Sequence, residues 1–194
     1  MAAFELALEH GCDGFEFDVR LSADHRSIIC HDRAFRGREV SRTIRDQLTA
    51  LASLSDVVAT FASRAVLDIE LKVPGPEAEV ARLLRQHPPA RGCCVSSFLP
   101  EVVEQLHRVD GSLPLGLICD TGRQLARWST LPVGALFLER GLVNAAVVDQ
   151  LHAAGKKVFV WTVDKESEMR SFAALGVDGL ISDDTQLLAR TFPP

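Results

Sequence analysis

Two short stretches of this chain carry acids at alternate positions. In Gly14-Phe15-Glu16-Phe17-Asp18-Val19-Arg20, the apolar Phe15, Phe17 and Val19 alternate with Glu16, Asp18 and Arg20. Successive side chains of an extended strand point to opposite faces, so both carboxylates fall on one side. Leu67-Asp68-Ile69-Glu70-Leu71-Lys72 repeats the pattern, with Asp68, Glu70 and Lys72 on a shared face. A strand with its polar face in water would explain either stretch. In a parallel sheet, however, both faces are normally covered, and acids turned into a closed interior repel one another unless a cation or a proton compensates. On that reading Glu16, Asp18 and Glu70 form an oxygen-rich set suited to Ca²⁺ or Mg²⁺ rather than to zinc. Lys72 beside them can hold a phosphate oxygen as a point charge, or it can simply pair with Glu70 at a strand end. His31-Asp32 follows the apolar run Ile28-Ile29-Cys30, which places His31 just past another strand end. An imidazole with a pKa near ~6.5 is a natural acid or base at neutral pH. A lone histidine also serves structural ends, and it is the neighbouring acidic strand that favours chemistry.

These groups need a scaffold that turns strand faces inward, and the rest of the chain reads as one. Short apolar strands over 14–21, 27–30, 65–71, 92–97, 114–119, 135–138, 157–162 and 179–182 alternate with helical stretches over 43–62, 77–86, 100–109, 122–128, 143–154, 165–174 and 185–192. Strands alternating with helices argue for an α/β fold with a parallel sheet, in seven main βα units. There is no Gly-rich phosphate turn after the first strand and no Walker-type loop, which disfavours an open nucleotide-binding sheet and favours a (β/α)8 barrel. The opening residues Phe4, Ala7 and Leu8 recur at helical spacing up to Gly11, so the chain starts within a helix. An eighth strand is therefore expected upstream of Met1, with the first βα unit missing or incomplete. The edges left at 14–21 and 179–182 would favour self-association into a homo-oligomer.

Composition limits the partners. At 194 residues, 47% hydrophobic, the chain fits one domain spanning 1–194. A formal charge of −5 argues against nucleic acid as a partner and against an anionic membrane surface. Five cysteines, two of them adjacent at Cys93 and Cys94 and none in a Cys-x-x-Cys pair, suggest reduced thiols in a cytoplasm. No leader and no apolar run of about 18 residues is visible, so stable membrane insertion is not expected.

The stretch from Gly11 to Asp24 with the following His31-Asp32, the block Asp68-Ile69-Glu70-Leu71-Lys72, the block Val160-Trp161-Thr162-Val163 and the block from Leu175 to Asp183 together resemble glycerophosphodiester phosphodiesterases, in order and over nearly the whole chain. The resemblance implies an eight-stranded barrel of the phospholipase-C-like phosphodiesterase type. It would hydrolyse a small-molecule glycerophosphodiester to an alcohol and glycerol 3-phosphate with a divalent metal, Ca²⁺ or Mg²⁺. It makes Glu16, Asp18 and Glu70 metal ligands, His31 one of two catalytic histidines, Lys72 a phosphate group partner and Trp161 a wall of the glycerol pocket. Three features depart from the family pattern: the strand ending in His-Arg-Gly, the Pro-Glu-Asn-Thr loop and a small inserted subdomain between His31 and residue 65 have no counterpart in this sequence. Weak turnover is therefore expected. A degenerate barrel that binds phosphoesters without hydrolysing them is the alternative reading, and a lysophospholipid is an alternative substrate.

Overall fold

The computed structural model describes residues 1–193. Helix α1 (Ala2–His10) ends on Gly11, whose φ of 100° lets its N–H turn back to the Ala7 and Leu8 carbonyls. Strand β1 (Gly14–Leu21) then forms an antiparallel hairpin with β2 (Ser27–Ile29), Val19 opposite Ile29. A smaller hairpin follows, β3 (Ala34–Phe35) with β4 (Arg38–Glu39), closed through Gly37 at φ 78°.

The helix expected over 43–62 is mostly absent. Two 3-10 turns, Val40–Arg42 and Arg45–Gln47, lead into irregular chain, and only α2 (Leu54–Phe61) is helical. Apolar residues of this stretch are used elsewhere, since Leu48 packs with Val40 and Ile28 as a small core of its own, with Leu51 against it. Arg45 donates to the Leu48 and Leu51 carbonyls and Thr43 to the Glu39 carbonyl, satisfying backbone groups that a helix would have paired. The helix begins where Ser53 accepts the Asp56 N–H, as an N-cap should.

From there the expected alternation holds: β5 (Val66–Leu71), α3 (Glu77–Gln86), β6 (Cys93–Ser97), α4 (Pro100–Val109), β7 (Leu115–Cys119), α5 (Gly122–Leu125), β8 (Ala135–Glu139), α6 (Ala145–Ala153), β9 (Lys157–Trp161), α7 (Glu166–Ala174), β10 (Gly179–Leu180) and α8 (Thr185–Thr191). Helix α5 is shorter than the stretch 122–128, its last turn replaced by a 3-10 segment at Trp128–Thr130. The strands form one sheet in the order β2-β1-β5-β6-β7-β8-β9-β10, parallel throughout except for β2. The sheet curls until its ends approach: α1 meets α8, with His10 Nδ1 2.8 Å from Thr185 Oγ1. Among the described residues no ladder joins β10 to β1. The result is a barrel wall of seven parallel strands with an opening between β10 and the edge formed by β1 and the short β2, in accord with the barrel class expected from the alternation.

Alternation divides the strand residues cleanly. Outward side chains such as Val19, Leu67, Ile69, Leu117 and Leu136 join Val57, Phe61, Val102 and Leu106 of the helices in the main core. Phe15 stacks on Phe4 of α1 at 4.2 Å and meets Phe61 of α2 edge-on at 5.1 Å, which ties both helices to β1. Inward, Phe137 and Phe159 stack at 4.8 Å, and the space for these rings exists because Gly116 and Gly179 have no Cβ: one at Gly116 would lie 2.5 Å from Phe137, one at Gly179 2.6 Å from Phe159. Among the described residues no helix is long and apolar enough to cross a membrane.

Gly14 is where β1 comes closest to its neighbour, since a Cβ there would fall onto the Val66 carbonyl. Gly14→Ala should therefore lower stability by about 2 kcal/mol or more, read as a shift in urea midpoint. Gly122→Ala, in helical backbone with open space around it, should leave stability unchanged or raise it by up to ~1 kcal/mol. Equal midpoints for the two variants would contradict this account of the β1–β5 contact.

Candidate active site

The register between β1 and β5 sets Glu16 beside Asp68 and Asp18 beside Glu70. All four carboxylates thus lie in one block on the inner face, where cross-strand neighbours stand about 5 Å apart. One carboxylate oxygen from each of Glu16, Asp18 and Glu70 lies within 4.8 Å of the others. Lys72, just past the end of β5, reaches back with Nζ 2.9 Å from Asp18 Oδ1 and 2.7 Å from Glu70 Oε1. The three side chains are only 16%, 11% and 7% exposed. Ser96 on β6 donates to Asp68 Oδ1 at 2.6 Å.

One ammonium cannot compensate four acids. Glu16 Oε1 and Asp68 Oδ2 are enclosed without a hydrogen-bond partner, and Glu70 Oε1 has the Lys72 ion pair but no aligned hydrogen bond. Glu16 as a residue is half-buried, yet burial of its carboxyl, reinforced by Asp18, Asp68 and Glu70 and only partly opposed by Lys72, pushes its pKa to about 9. Burial likewise lifts Asp68 to about 7 against the Ser96 hydrogen bond, and lifts Glu70 despite Lys72. Burial disfavours the Lys72 charge, but its contacts with Glu70 and Asp18 outweigh that and hold its pKa above the usual lysine range. Enclosed carboxylate oxygens without donors, in an all-oxygen set, are the environment that a hard divalent cation fits.

His31 stands beside this block but outside it. The Cys30 N–H bonds to the Asp18 carbonyl at 2.9 Å, and the His31 carbonyl is gripped by Arg20 through Nε at 3.1 Å and Nη2 at 2.8 Å. The ring itself is in solvent, 76% exposed, with Nδ1 2.9 Å from Asp32 Oδ1. Trp161 is across the barrel at the end of β9, its Nε1 donating to the Phe137 carbonyl at 3.0 Å. Phe98 links the two halves: its ring meets Trp161 edge-on at 5.8 Å and lies under Lys72 Nζ at 5.5 Å. The structure therefore gathers Glu16, Asp18, Glu70 and Lys72 into contact, and sets His31 and Trp161 at the rim on opposite sides. Phe98, Ser96 and the grip of Arg20 on His31 do not stand out in the sequence. Phe98 is detectable in principle as the residue after a strand that ends at Ser97, where barrel sites are assembled.

Two surface pockets bear on the site's surroundings. The larger, about 420 Å³, is lined by residues such as Met1, Arg45 and Asp56 and touches none of the groups above. The smaller, about 250 Å³, has Lys72 and Arg20 in its wall and so adjoins the acidic block through Lys72, with none of the four acids lining it.

A wall of parallel strands with its polar constellation toward their carboxyl ends is the plan of the TIM-barrel enzymes. Residues 1–74 and 78–187 match the glycerophosphoryl diester phosphodiesterase family, and the chain belongs to that family of phosphoric diester hydrolases. It is 26% identical over 216 residues to a glycerophosphodiester phosphodiesterase of Caldanaerobacter subterraneus subsp. tengcongensis, covering 97% of this chain and 89% of that protein. It is 26% identical over 214 residues to one of Bacillus altitudinis, with 94% and 87% covered. Its fold superposes on an Oleispira antarctica phosphodiesterase solved in complex with the product sn-glycerol-3-phosphate, with a TM-score of 0.87 at 22% identity over 100% of this chain and 90% of that one. A Thermotoga maritima glycerophosphodiester phosphodiesterase gives 0.83 at 20%, with 97% and 89% covered.

The raised acids make stability depend on pH. Relative to the unfolded chain, with carboxyl pKa values of 4.5 and 3.8, the folded protein retains a proton on Glu16 up to about 9 and on Asp68 up to about 7. The folded state then binds more protons than the unfolded one, so stability falls as pH rises through this window. Without added divalent cations, the denaturation midpoint should drop steadily from mildly acidic pH to pH 9. Glu16→Gln should remove the part of that drop lying between 7 and 9. A midpoint that rises with pH over this range would contradict the burial of these acids.

Proposed function

We propose that this chain hydrolyses glycerophosphodiesters to an alcohol and glycerol 3-phosphate, with a divalent cation, Ca²⁺ or Mg²⁺, held by Glu16, Asp18 and Glu70. The observation that carries the reading is the meeting of three carboxylates within 4.8 Å, Glu16 with an enclosed oxygen that lacks any hydrogen-bond donor and Asp18 and Glu70 sharing the single ammonium of Lys72. Family membership and the relatives' shared description support the substrate class.

Bound there, the cation would supply Lewis-acid polarisation of the phosphate. The protein's own groups divide the remaining work. Lys72 holds a non-bridging phosphate oxygen and neutralises charge as it develops. His31 performs one of the two proton transfers that the reaction needs. With Nδ1 occupied by Asp32, Nε2 is the nitrogen left to exchange a proton with an attacking or departing oxygen. Arg20 fixes the backbone from which that ring projects. Trp161, its indole N–H tied to a carbonyl, serves as an apolar wall for the glycerol carbons.

The test follows release of glycerol 3-phosphate from glycerophosphodiesters, with and without chelator, alongside melting temperature. Ca²⁺ or Mg²⁺ should raise the melting temperature, since a ligand of the folded state stabilises by RT ln(1 + [L]/Kd), about 2.7 kcal/mol at 100 times Kd. Glu16→Gln and Glu70→Gln should shrink that response. His31→Ala should retain it while lowering kcat by about 10²–10⁴-fold. Unchanged metal response in both carboxamide variants would return the acids to a structural role. Full activity in His31→Ala would remove the proton-transfer assignment. A normal metal response without any turnover would favour the binding-only reading.

A further inference from the structure

The pocket beside Lys72 has a charge character that the hydrolytic reading does not use. Four charged residues line it: Arg20, Arg33, Glu39 and Lys72. Two of these are neutralised within the protein. Lys72 is bridged to Asp18 and Glu70, and Glu39 pairs with Arg42 at 3.2 Å while also accepting from Ser41.

The other two are not neutralised. Arg20 directs Nε and Nη2 at the carbonyl of His31, a neutral acceptor, and forms no ion pair among the described residues. Arg33 is exposed and likewise has no carboxylate partner among them. Its backbone is nonetheless fixed, because its carbonyl accepts the Val40 N–H at the base of the β3–β4 hairpin. The nearest acid in sequence, Asp32, already bonds His31. Two arginines without carboxylate partners thus line a concave space of about 250 Å³, in a chain whose formal charge is −5.

We propose that this pocket is a subsite for the alcohol arm of the diester and selects alcohols that carry an acidic group, Arg33 being its specificity-determining residue. The inference rests on the phosphodiesterase reading for its orientation. Lys72 marks the phosphate, Trp161 marks the glycerol side across the barrel, and the alcohol arm leaves toward β1 and the β3–β4 hairpin. A guanidinium fork suits a carboxylate or a phosphate monoester, presenting parallel donors to paired oxygens. It opposes a quaternary ammonium by the same charge.

The test compares three probes with the whole chain: glycerophosphoinositol, its ring-phosphorylated form and glycerophosphocholine. For each, Kd is measured by calorimetry and kcat/KM by release of glycerol 3-phosphate. The ring phosphate should improve both quantities by about five-fold, the scale of one partly exposed charge contact, with the choline diester weakest. Arg33→Glu should reverse the order of the ring-phosphorylated and choline diesters, and raised salt should erode the preference of the unmodified protein. Equal Kd and equal kcat/KM for the three probes would overturn the subsite while leaving the hydrolase reading intact. The predicted order in Kd without turnover of any probe would support the subsite and overturn the hydrolase reading. An order that survives Arg33→Glu would overturn the assignment to Arg33.

Discussion

The acids on β1 and β5 face one another across a single ladder, and what happens between them conditions the whole barrel. Each carboxylate that leaves water loses hydration, and each one added beside another increases the repulsion. Lys72 relieves the pair nearest the mouth by bridging Asp18 and Glu70, and Ser96 relieves Asp68 by one hydrogen bond. Glu16 receives neither, and its Oε1 remains enclosed without a donor. Such an arrangement costs stability in the isolated protein. It persists because the surrounding wall is fixed by packing that does not involve the acids at all: the outward faces of the same strands are completely buried at Val19, Leu67, Ile69 and Leu71. Function is placed on one face of a strand and stability on the other, which is what alternation allows.

The interior shows a second division, around the barrel instead of across the strand. Acids occupy β1 and β5, while the far wall carries Ile118, Phe137, Phe159 and Trp161. The low polarity of the far side strengthens every charge interaction on the near side, since less water intervenes. Phe98 lies where the two regions meet, with Lys72 above its ring and Trp161 against its edge. A ligand with a charged centre and an apolar carbon skeleton finds both requirements within one cavity mouth.

Much of this is legible in the sequence because it depends on local pattern. The ranges 14–21, 77–86 and 100–109 agree with β1, α3 and α4 residue for residue. Strict alternation identifies the first, and a proline at each start with amphipathic spacing identifies the others. The acids are recognisable for the same reason. The stretch 43–62 is where local pattern fails, because Leu48 and Leu51 pack against Ile28 and Val40 instead of lying on a helix face, a partnership that no local window contains. For Lys72 the sequence offers a phosphate or Glu70 as partner, whereas the side chain also bridges to Asp18, a contact that depends on which strand lies beside β5. Asp68 falls on the correct face by alternation, but its position opposite Glu16 follows from register, and register is a property of two strands. The uncompensated charges of Arg20 and Arg33 are hidden in the same way by a net charge that sums over the whole chain.

Register also explains how one strand can organise the entire site. Gly14 sits directly against Val66 because it has no Cβ, and this contact sets the phase of everything that follows on β1. Two residues later Glu16 meets Asp68, and two further on Asp18 meets Glu70. The backbone of Asp18 then receives the Cys30 N–H, and Arg20 closes on the His31 carbonyl. The exposed imidazole, although between β2 and β3 and in solvent, is thereby referenced to the strand that bears the acids and not to the hairpin that follows. A slip of one residue between β1 and β5 would turn Glu16 and Asp18 outward into the helix layer and Phe15 and Phe17 into the cavity. The aromatic cluster of Phe4, Phe15 and Phe61 opposes that slip, because its rings fit only when β1 presents them to α1 and α2. The hydrophobic contacts on the outside of the barrel therefore hold the carboxylates in place on the inside, with no contact between the two sets.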